Sequence, residues 1–195
     1  RLLNSYKKYV DKFIVPSKFH IQKLCEWGWD ENDLVHIPNF LDSREINVSR
    51  RAGAGFVYVG RLSREKGLAT LICASARSGQ PVRILGTGPE ERNLKLLADE
   101  LDAPVEFLGY VSGDALYDRL REARALILPS ECYENAPISI LEAYAAGRPV
   151  IGAQIGGIPE LITSEKGRTF SAFSADQLAE RMSELASMRD KEIVD

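Results

Sequence analysis

The sequence predicts an α/β fold, in which a parallel β-sheet is covered by helices on both faces. Short apolar runs alternate with amphipathic stretches of about 10–15 residues, which is the pattern of strand–helix–strand units. Glycine or proline follows nearly every apolar run, as expected where a strand ends. Because crossovers of this kind are right-handed, the units build a doubly wound, Rossmann-like sheet.

The strands are predicted from apolar runs that are short and end at turn-forming residues. They cover residues 13–15, 34–37, 55–59, 82–85, 105–108, 125–128, 150–152 and 167–170. In a doubly wound sheet, ligands lie at the carboxyl ends of the strands, where the strand order reverses. The residues that follow these runs are therefore the first candidates for a site.

The helices are predicted between the strands, from apolar residues three and four positions apart and from residues that favour helix ends. Gly28 ends the first helix, and Pro89 suits the first turn of the third. Pro137 is predicted at the first position of the fifth helix, which Gly147 ends. The predicted ranges are 18–27, 66–78, 89–101, 113–123, 137–147 and 175–189. Residues 42–55 are polar and charged and are predicted to be a connection.

Composition excludes several classes of protein. The chain has 195 residues with 45% hydrophobic and 27% charged residues, which is typical of a globular domain and not of a disordered one. The net charge of -3 gives no basic excess for nucleic acid. The three cysteines are far apart and form no cluster with histidine, so we expect reduced thiols, no metal and a cytoplasmic location. No apolar run approaches the ~20 residues of a membrane span.

Two strand ends carry glycines beside cations or acidic residues. After residues 55–59 the chain reads Gly60-Arg61, with Lys66 five positions further on, and these cations suit phosphate oxygens. A solvated loop with ordinary surface ion pairs is the alternative. After residues 82–85, Gly86 and Gly88 would let a ligand approach the backbone, although a tight turn explains them equally well.

Two glutamates flank the start of the fifth predicted helix. With Pro137 at its first position, Glu134 lies just outside the helix and Glu142 on its second turn, so both can face one cleft. A carboxylate accepts hydrogen bonds from the hydroxyls of a ribose or a hexose, and the helix start offers N–H groups to an anion. Helix capping and solvated charges are the alternative. Further on, Gly156-Gly157 would let the backbone run against a bound group, or simply form a connection.

These motifs occur together, in one order, and neighbouring residues extend them. The extended segments read Gly60-Arg61 with Lys66-Gly67, Glu142-Ala143-x-Ala145-x-Gly147-x-Pro149-Val150 and Gly156-Gly157-x-Pro159-Glu160. With the spacing of Glu134 and Glu142, they resemble the C-terminal domain of the retaining, nucleotide-sugar-dependent glycosyltransferases of family four, which have the two-domain GT-B fold. The resemblance covers roughly residues 13–180.

The resemblance implies catalytic roles for three residues. Arg61 and Lys66 would hold the donor diphosphate and stabilise the charge of the leaving group. Glu134 would bind the hydroxyls of the transferred sugar. The sugar would be transferred with retention at the anomeric carbon, and no metal or other cofactor is required if the two cations do this work.

The resemblance also implies donor-binding positions. Glu142 would bind the ribose hydroxyls, and the backbone around Tyr110 and Val111 would contact the base. Pro137 has no N–H, so Ile138 and Ser139 remain as donors to the phosphate. Three glycines complete the expected donor site: Gly60, Gly86 and Gly88.

The resemblance divides the chain at residue 40. Residues 1–40 would be a remnant of the N-terminal acceptor domain with the linker, and residues 41–195 the nucleotide-sugar-binding domain. The chain opens on Arg1, and we expect it to be about half of an enzyme, binding donor without being active alone. The acceptor would be a glycan, a lipid or a small molecule, and the full-length protein could touch a membrane peripherally. A nucleotide-sugar epimerase of GT-B architecture and a non-catalytic nucleotide-binding module are the alternatives.

Overall fold

The computed structural model describes residues 9–42, 46–49, 51 and 53–189. The strands are β1 (Phe13–Val15), β2 (Leu34–His36), β3 (Phe56–Val59), β4 (Val82–Leu85), β5 (Val105–Gly109), β6 (Ala125–Leu128), β7 (Val150–Ala153) and β8 (Gly167–Phe170). The helices are α1 (Lys18–Glu26), α2 (Leu68–Ser78), α3 (Glu91–Glu100), α4 (Asp114–Glu122), α5 (Ile138–Ala145), α6 (Ile158–Leu161) and α7 (Ala175–Ser187).

The main sheet has six strands in the order β5-β4-β3-β6-β7-β8, and every neighbouring pair is parallel. The chain builds outward from β3 to β5 and then returns to place β6 on the other side of β3. This reversal puts the switch point between β3 and β6, where such sheets bind ligands. The predicted doubly wound α/β fold is confirmed.

Helices cover both faces of the sheet because side chains along each strand alternate between the faces. In β3, Phe56 and Tyr58 join a buried cluster with residues of α2, α3 and α7, whereas Val57 joins a second cluster with residues of α4, α5 and α6. The helices contribute Leu71, Leu94 and Met182 to the first cluster and Leu120, Ile140 and Ile158 to the second. The strands are thus buried on both faces, as their continuous apolar runs predict.

The N-terminal strands β1 and β2 pair with each other in a separate parallel sheet, with α1 between them in the chain. Ser17 caps α1 by accepting the N–H of His20. This small unit lies against the main domain: the Ser17 hydroxyl donates to Asn135 Oδ1 at 2.7 Å, and Asn39 Nδ2 donates to the carbonyl of Ala136 at 2.8 Å.

Two predicted details of the helices are wrong. Pro137 has ψ 123° and lies at the N-cap, so α5 begins at Ile138, one residue later than predicted. The four-residue helix α6 was not predicted, because Gly156 and Gly157 suggested only a connection. Pro159 lies in its first turn, where a missing N–H costs no helical hydrogen bond.

The connection at residues 42–55 has no helix or strand in its described part, and residues 43–45, 50 and 52 lie outside the described residues. Residues 1–8 and 190–195 also lie outside them. In the described part of the chain, no helix is both long enough and apolar enough to cross a membrane.

Candidate functional site

A cleft of about 320 Å³ lies at the carboxyl ends of β3, β4 and β5. It is lined by Val59, Gly60, Arg61, Leu85, Gly86, Thr87, Tyr110 and Val111. Five of these residues were predicted from sequence as donor-site residues, from three separate loops: Gly60, Arg61, Gly86, Tyr110 and Val111. Their meeting in one cleft follows from the strand order, which sets the three loops side by side.

The glycines of this cleft bring its loops together. A Cβ on Gly86 would lie 1.8 Å from the carbonyl oxygen of Gly60, and one on Gly88 would lie 2.2 Å from that of Leu62. Backbone hydrogen bonds join the same loops, from Gly60 N to Leu85 O at 3.0 Å and from Leu62 N to Thr87 O at 3.0 Å. Loop packing therefore accounts for glycine at 86 and 88, and the donor-site role expected for both glycines stays a prediction.

Arg61 lies exposed at the edge of the cleft, and its backbone is held in place. The hydroxyl of buried Tyr58 donates to the carbonyl of Arg61 at 2.9 Å. Burial raises the pKa of Tyr58 strongly, and the negative charge of Glu134 raises this pKa further. Tyr58 thus stays protonated and keeps its hydrogen bond, while the Arg61 guanidinium makes no ion pair within the described part of the chain.

Lys66 and Glu134 form an ion pair between the loop after β3 and the loop after β6. Lys66 Nζ lies 2.6 Å from Glu134 Oε1, and the Glu134 side chain is only 15% exposed. The hydroxyl of fully buried Ser130 donates to the same oxygen at 2.8 Å. Both contacts use Oε1, so the structure fixes the carboxylate while leaving Oε2 without a partner among the described residues.

Gly67 allows the two loops to meet. It has φ +69°, and a Cβ on it would lie 2.0 Å from the carbonyl oxygen of Pro129 at the end of β6. Next to it, Glu131 N donates to the carbonyl of Glu65 at 2.8 Å, which ties the loops together through the backbone. Gly67 thus allows the close contact between the loops that places the neighbouring Lys66 beside Glu134.

Gly156 and Gly157 support Glu134 from the other side. A Cβ on Gly156 would lie 2.4 Å from the carbonyl oxygen of Glu134, and one on Gly157 would lie 1.9 Å from that of Asn135. Gly157 N donates to the carbonyl of Glu134 at 2.7 Å. The backbone here runs against the loop that carries Glu134, whereas the sequence suggested either a bound group or a simple connection.

Helix α5 carries the remaining predicted donor residues. Ile138 and Ser139 lie in its first turn, where N–H groups have no acceptor one turn earlier. Glu142 is half-buried on the second turn, and burial raises its pKa. The charge of Glu142 acts on Tyr117 of α4, whose pKa is raised first by burial and then by that charge. The cleft after β3, β4 and β5 is not lined by these α5 residues.

Three residues of the site were missed in the sequence. Ser130 lies within the segment that contains both glutamates, but a buried serine gives no signal until its partner is known. Tyr58 was predicted only as part of a strand, although a tyrosine in an otherwise apolar run is a usable signal of a buried hydrogen bond. Tyr117 gave no sequence signal. Among the described residues, no group of three or more His, Cys, Asp or Glu side chains could hold a metal ion.

The fold, with a cleft at the carboxyl ends of its strands and an ion pair beside its switch point, is that of a Rossmann-like α/β domain. The chain belongs to the family of glycosyl transferases group 1, whose model matches residues 41–192. This membership does not favour the epimerase alternative.

Curated relatives match only part of their own length. The chain is 31% identical to the putative colanic acid biosynthesis glycosyltransferase WcaL of Escherichia coli, over 70% of this chain and 37% of that protein. It is 29% identical to an Escherichia coli O-antigen chain mannosyltransferase C, over 92% of this chain and 46% of that protein. The chain thus spans between a third and a half of the length of these relatives.

Solved structures share the fold. HepE of Anabaena, solved with UDP and glucose, superposes with a TM-score of 0.88 at 19% identity, over 99% of this chain and 58% of that one. A sucrose-phosphate synthase from Thermosynechococcus elongatus gives a TM-score of 0.81 at 24% identity, over 97% of this chain and 53% of that one. The fold is that of one part of a GT-B glycosyltransferase.

Proposed function

We propose that this chain binds a nucleoside diphosphate sugar and forms the donor-binding part of a retaining glycosyltransferase. The observation that carries the proposal is the ion pair of Lys66 and Glu134 beside the switch point, next to a cleft whose edge bears Arg61. Cations suit the diphosphate, and a fixed carboxylate suits sugar hydroxyls. The UDP and glucose bound by HepE support this class of ligand.

Each part of the donor has a proposed partner. The base lies in the cleft beside Tyr110 and Val111, and the ribose hydroxyls bind Glu142. Arg61, Lys66 and the first-turn N–H groups of α5, at Ile138 and Ser139, bind the diphosphate. Glu134 accepts hydrogen bonds from hydroxyls of the transferred sugar.

The proposed chemistry depends on stabilising the leaving group. The bond between the anomeric carbon and the phosphate oxygen breaks, and its electron pair leaves with the diphosphate. The acceptor oxygen bonds to the anomeric carbon on the face that the diphosphate leaves, and the acceptor's hydroxyl proton passes to the departing diphosphate oxygen. Arg61 and Lys66 stabilise the negative charge that develops on the diphosphate. Such electrostatic stabilisation is usually the largest single contribution to lowering the barrier. In this proposal no metal ion is required, because two cations already face the diphosphate.

The remaining parts of the enzyme are also proposals. Residues 1–40 belong to the N-terminal acceptor domain and linker, residues 41–195 form the donor-binding domain, and the chain alone binds donor without useful transfer. The acceptor, a glycan, a lipid or a small molecule, is bound mainly by the N-terminal domain. The partial coverage of every relative described above supports this division. The separate, free cysteines support a cytoplasmic location.

Calorimetric titration with UDP, GDP and ADP tests the proposal on the chain itself. We expect one of the three to bind, and Arg61→Ala and Lys66→Ala each to weaken that binding about tenfold or more, as loss of one charge-assisted contact of about 1.5–3 kcal/mol predicts. Arg77→Ala is the matched control, because Arg77 is an exposed cation paired with Asp176 on another surface. A folded chain that binds none of the three nucleotides overturns the proposal.

A further inference from the structure

A second cavity, of about 190 Å³, lies between α1 and the loop after β6, and Glu134 is one of its lining residues. Three aromatic side chains form most of its wall, together with the polar side chains of Glu134 and Asn135: Phe19, Trp27 and Tyr133. The proposed donor chemistry uses only the carboxylate of Glu134 from this set.

Two of the three aromatic rings of this cavity are largely open to solvent. Trp27 is 67% exposed and Tyr133 is 65% exposed. Phe19 packs against Tyr133 edge-on, with ring centroids 5.0 Å apart, and Lys23 Nζ lies 5.8 Å from the centroids of both rings. Large aromatic surface left open beside polar groups is characteristic of binding sites.

The charges around the cavity are already paired, which favours an uncharged ligand. Lys23 Nζ lies 2.7 Å from Glu26, and Glu134 is paired with Lys66. Two polar groups keep unused capacity among the described residues. Asn135 accepts from Ser17 through Oδ1, which leaves its amide N–H groups, and His20 Nδ1 is buried without a partner. A buried ring nitrogen without a partner is costly unless a ligand satisfies it.

A pyranose ring has the chemistry that this cavity fits. One face of the ring presents C–H groups that stack on aromatic rings, and its edge presents hydroxyls that bind amide and carboxylate groups. A lipid tail would leave Asn135 and His20 unsatisfied, and an anionic group would meet the carboxylate of Glu134. The cavity volume is about that of a single hexose, not of an oligosaccharide.

We propose that this cavity binds a sugar ring of the acceptor, stacked on Tyr133 and Trp27 with its hydroxyls toward Asn135. This inference rests on the proposed function, because Glu134 is the residue that would bring the transferred sugar to the same place. It narrows the acceptor to a carbohydrate. It also makes the donor-binding domain, through Tyr133 and Asn135, a contributor to the acceptor site beside the N-terminal domain.

Saturation-transfer NMR on the 195-residue chain tests the inference with four probes: the methyl glycosides of mannose, glucose, galactose and N-acetylglucosamine. The spectra are recorded with the nucleoside diphosphate that calorimetry shows to bind. We expect at least one glycoside to bind, Trp27→Ala and Tyr133→Ala each to weaken it tenfold or more, and Tyr133→Phe to stay within about twofold because the ring remains. Phe173→Ala is the matched control, since Phe173 is also 65% exposed but lies outside the cavity.

The outcomes separate the inference from the proposed function. Nucleotide binding without binding of any glycoside overturns the inference and leaves the proposed function standing. Glycoside binding that Trp27→Ala and Tyr133→Ala do not change also overturns it, as does displacement of the glycoside by the matching nucleoside diphosphate sugar, which would place the glycoside in the donor site. A chain that binds no nucleotide overturns the proposed function and with it the assignment of this cavity to an acceptor.

Discussion

At the residue scale, Glu134 is held in place through Oε1, one of its two carboxylate oxygens. Oε1 takes Lys66 at 2.6 Å and Ser130 at 2.8 Å. A ligand hydroxyl can then bind Oε2 without displacing either contact. Ser130 is a positioning residue: its hydrogen bond to Oε1 fixes the direction in which Oε2 points, without contact between Ser130 and the ligand.

Ser130→Ala is expected to separate sugar binding from nucleotide binding. Loss of a buried hydrogen bond to a charged group costs about 1.5–3 kcal/mol, so binding of the complete donor should weaken about tenfold or more. Binding of the nucleoside diphosphate without the sugar should hardly change. Calorimetry with both ligands measures the ratio of the two losses of affinity. The control is Ser75→Ala, which removes an equally buried hydroxyl that donates to Gln80. Equal losses for the two ligands would contradict a positioning role.

Glu142 gives the stability of the fold a particular dependence on pH. Because burial raises the pKa of Glu142 in the folded state, the folded chain holds this proton more tightly than the unfolded chain does. The contribution of Glu142 to the free energy of unfolding is therefore greatest below the ordinary pKa of 4.5 and falls as the pH rises through the raised pKa. Glu142→Gln should remove this fall, and urea unfolding between pH 4 and pH 8 measures it.

Glu184 is expected to change the stability with pH in the direction opposite to Glu142, and the same urea unfolding measures both. Hydrogen bonds from Arg168 and Arg181 lower its pKa, so its contribution is present above its ordinary pKa and is lost as the pH falls through the lowered one. Glu184→Gln should therefore destabilise the chain near pH 7 and have less effect at acidic pH. A Glu142→Gln variant that follows this pattern instead would refute the role of burial at Glu142.

At the scale of elements, the site depends on how closely the loop after β3 can approach the end of β6. Gly67→Ala is expected to destabilise the chain by more than about 1–2 kcal/mol, since it adds backbone strain at φ +69° to a clash with Pro129. Chemical denaturation measures this loss, and the same change should weaken donor binding by moving Lys66.

Gly79→Ala separates strain from the clash. Gly79 has φ +66° at the end of α2, and a Cβ there would meet nothing within 4 Å. Gly79→Ala should therefore lower the free energy of unfolding only by the backbone strain, about 1 kcal/mol, and leave donor binding unchanged. Equal losses for Gly67→Ala and Gly79→Ala would show that the loop contact contributes nothing.

The elements themselves were largely predictable, and the contacts between their loops were not. The run from Phe56 to Val59 is short, apolar and followed by glycine, so local pattern was enough to find β3. Lys66 and Glu134 lie 68 positions apart, and their pairing depends on β6 lying beside β3. No local pattern gives the strand order, which is why the sequence left a ligand contact and a turn or connection as alternatives at Gly86 and Gly156 and did not identify the loops that these glycines contact.

At the scale of the whole molecule, Glu160 joins the N-terminal unit to the main domain. Its carboxylate accepts the backbone N–H of Lys18, at 2.9 Å, and that of Phe19, at the start of α1. An acidic group at this end of a helix also meets the positive end of the helix dipole. Glu160 thereby holds one wall of the aromatic cavity in place.

Glu160→Gln is expected to loosen α1 without unfolding the sheet. Hydrogen exchange at the amides of Lys18 and Phe19 should speed up about tenfold, whereas exchange in β3 and β6 should not change. Glu165→Gln is the control, because Glu165 is an exposed carboxylate in the loop that follows α6. Unchanged exchange at both amides would mean that Ser17 and Asn39 alone secure the unit.

The position of α7 has a consequence for how the chain folds as it is synthesised. The strands β3, β4 and β5 are complete by residue 109, yet the cluster above them also needs Leu178, Met182 and Leu185 from α7. Arg124 Nε donates to the carbonyl of Leu185 and ties that helix down. A nascent chain therefore exposes apolar surface on this face of the sheet until α7 has left the ribosome, and the cluster closes only then.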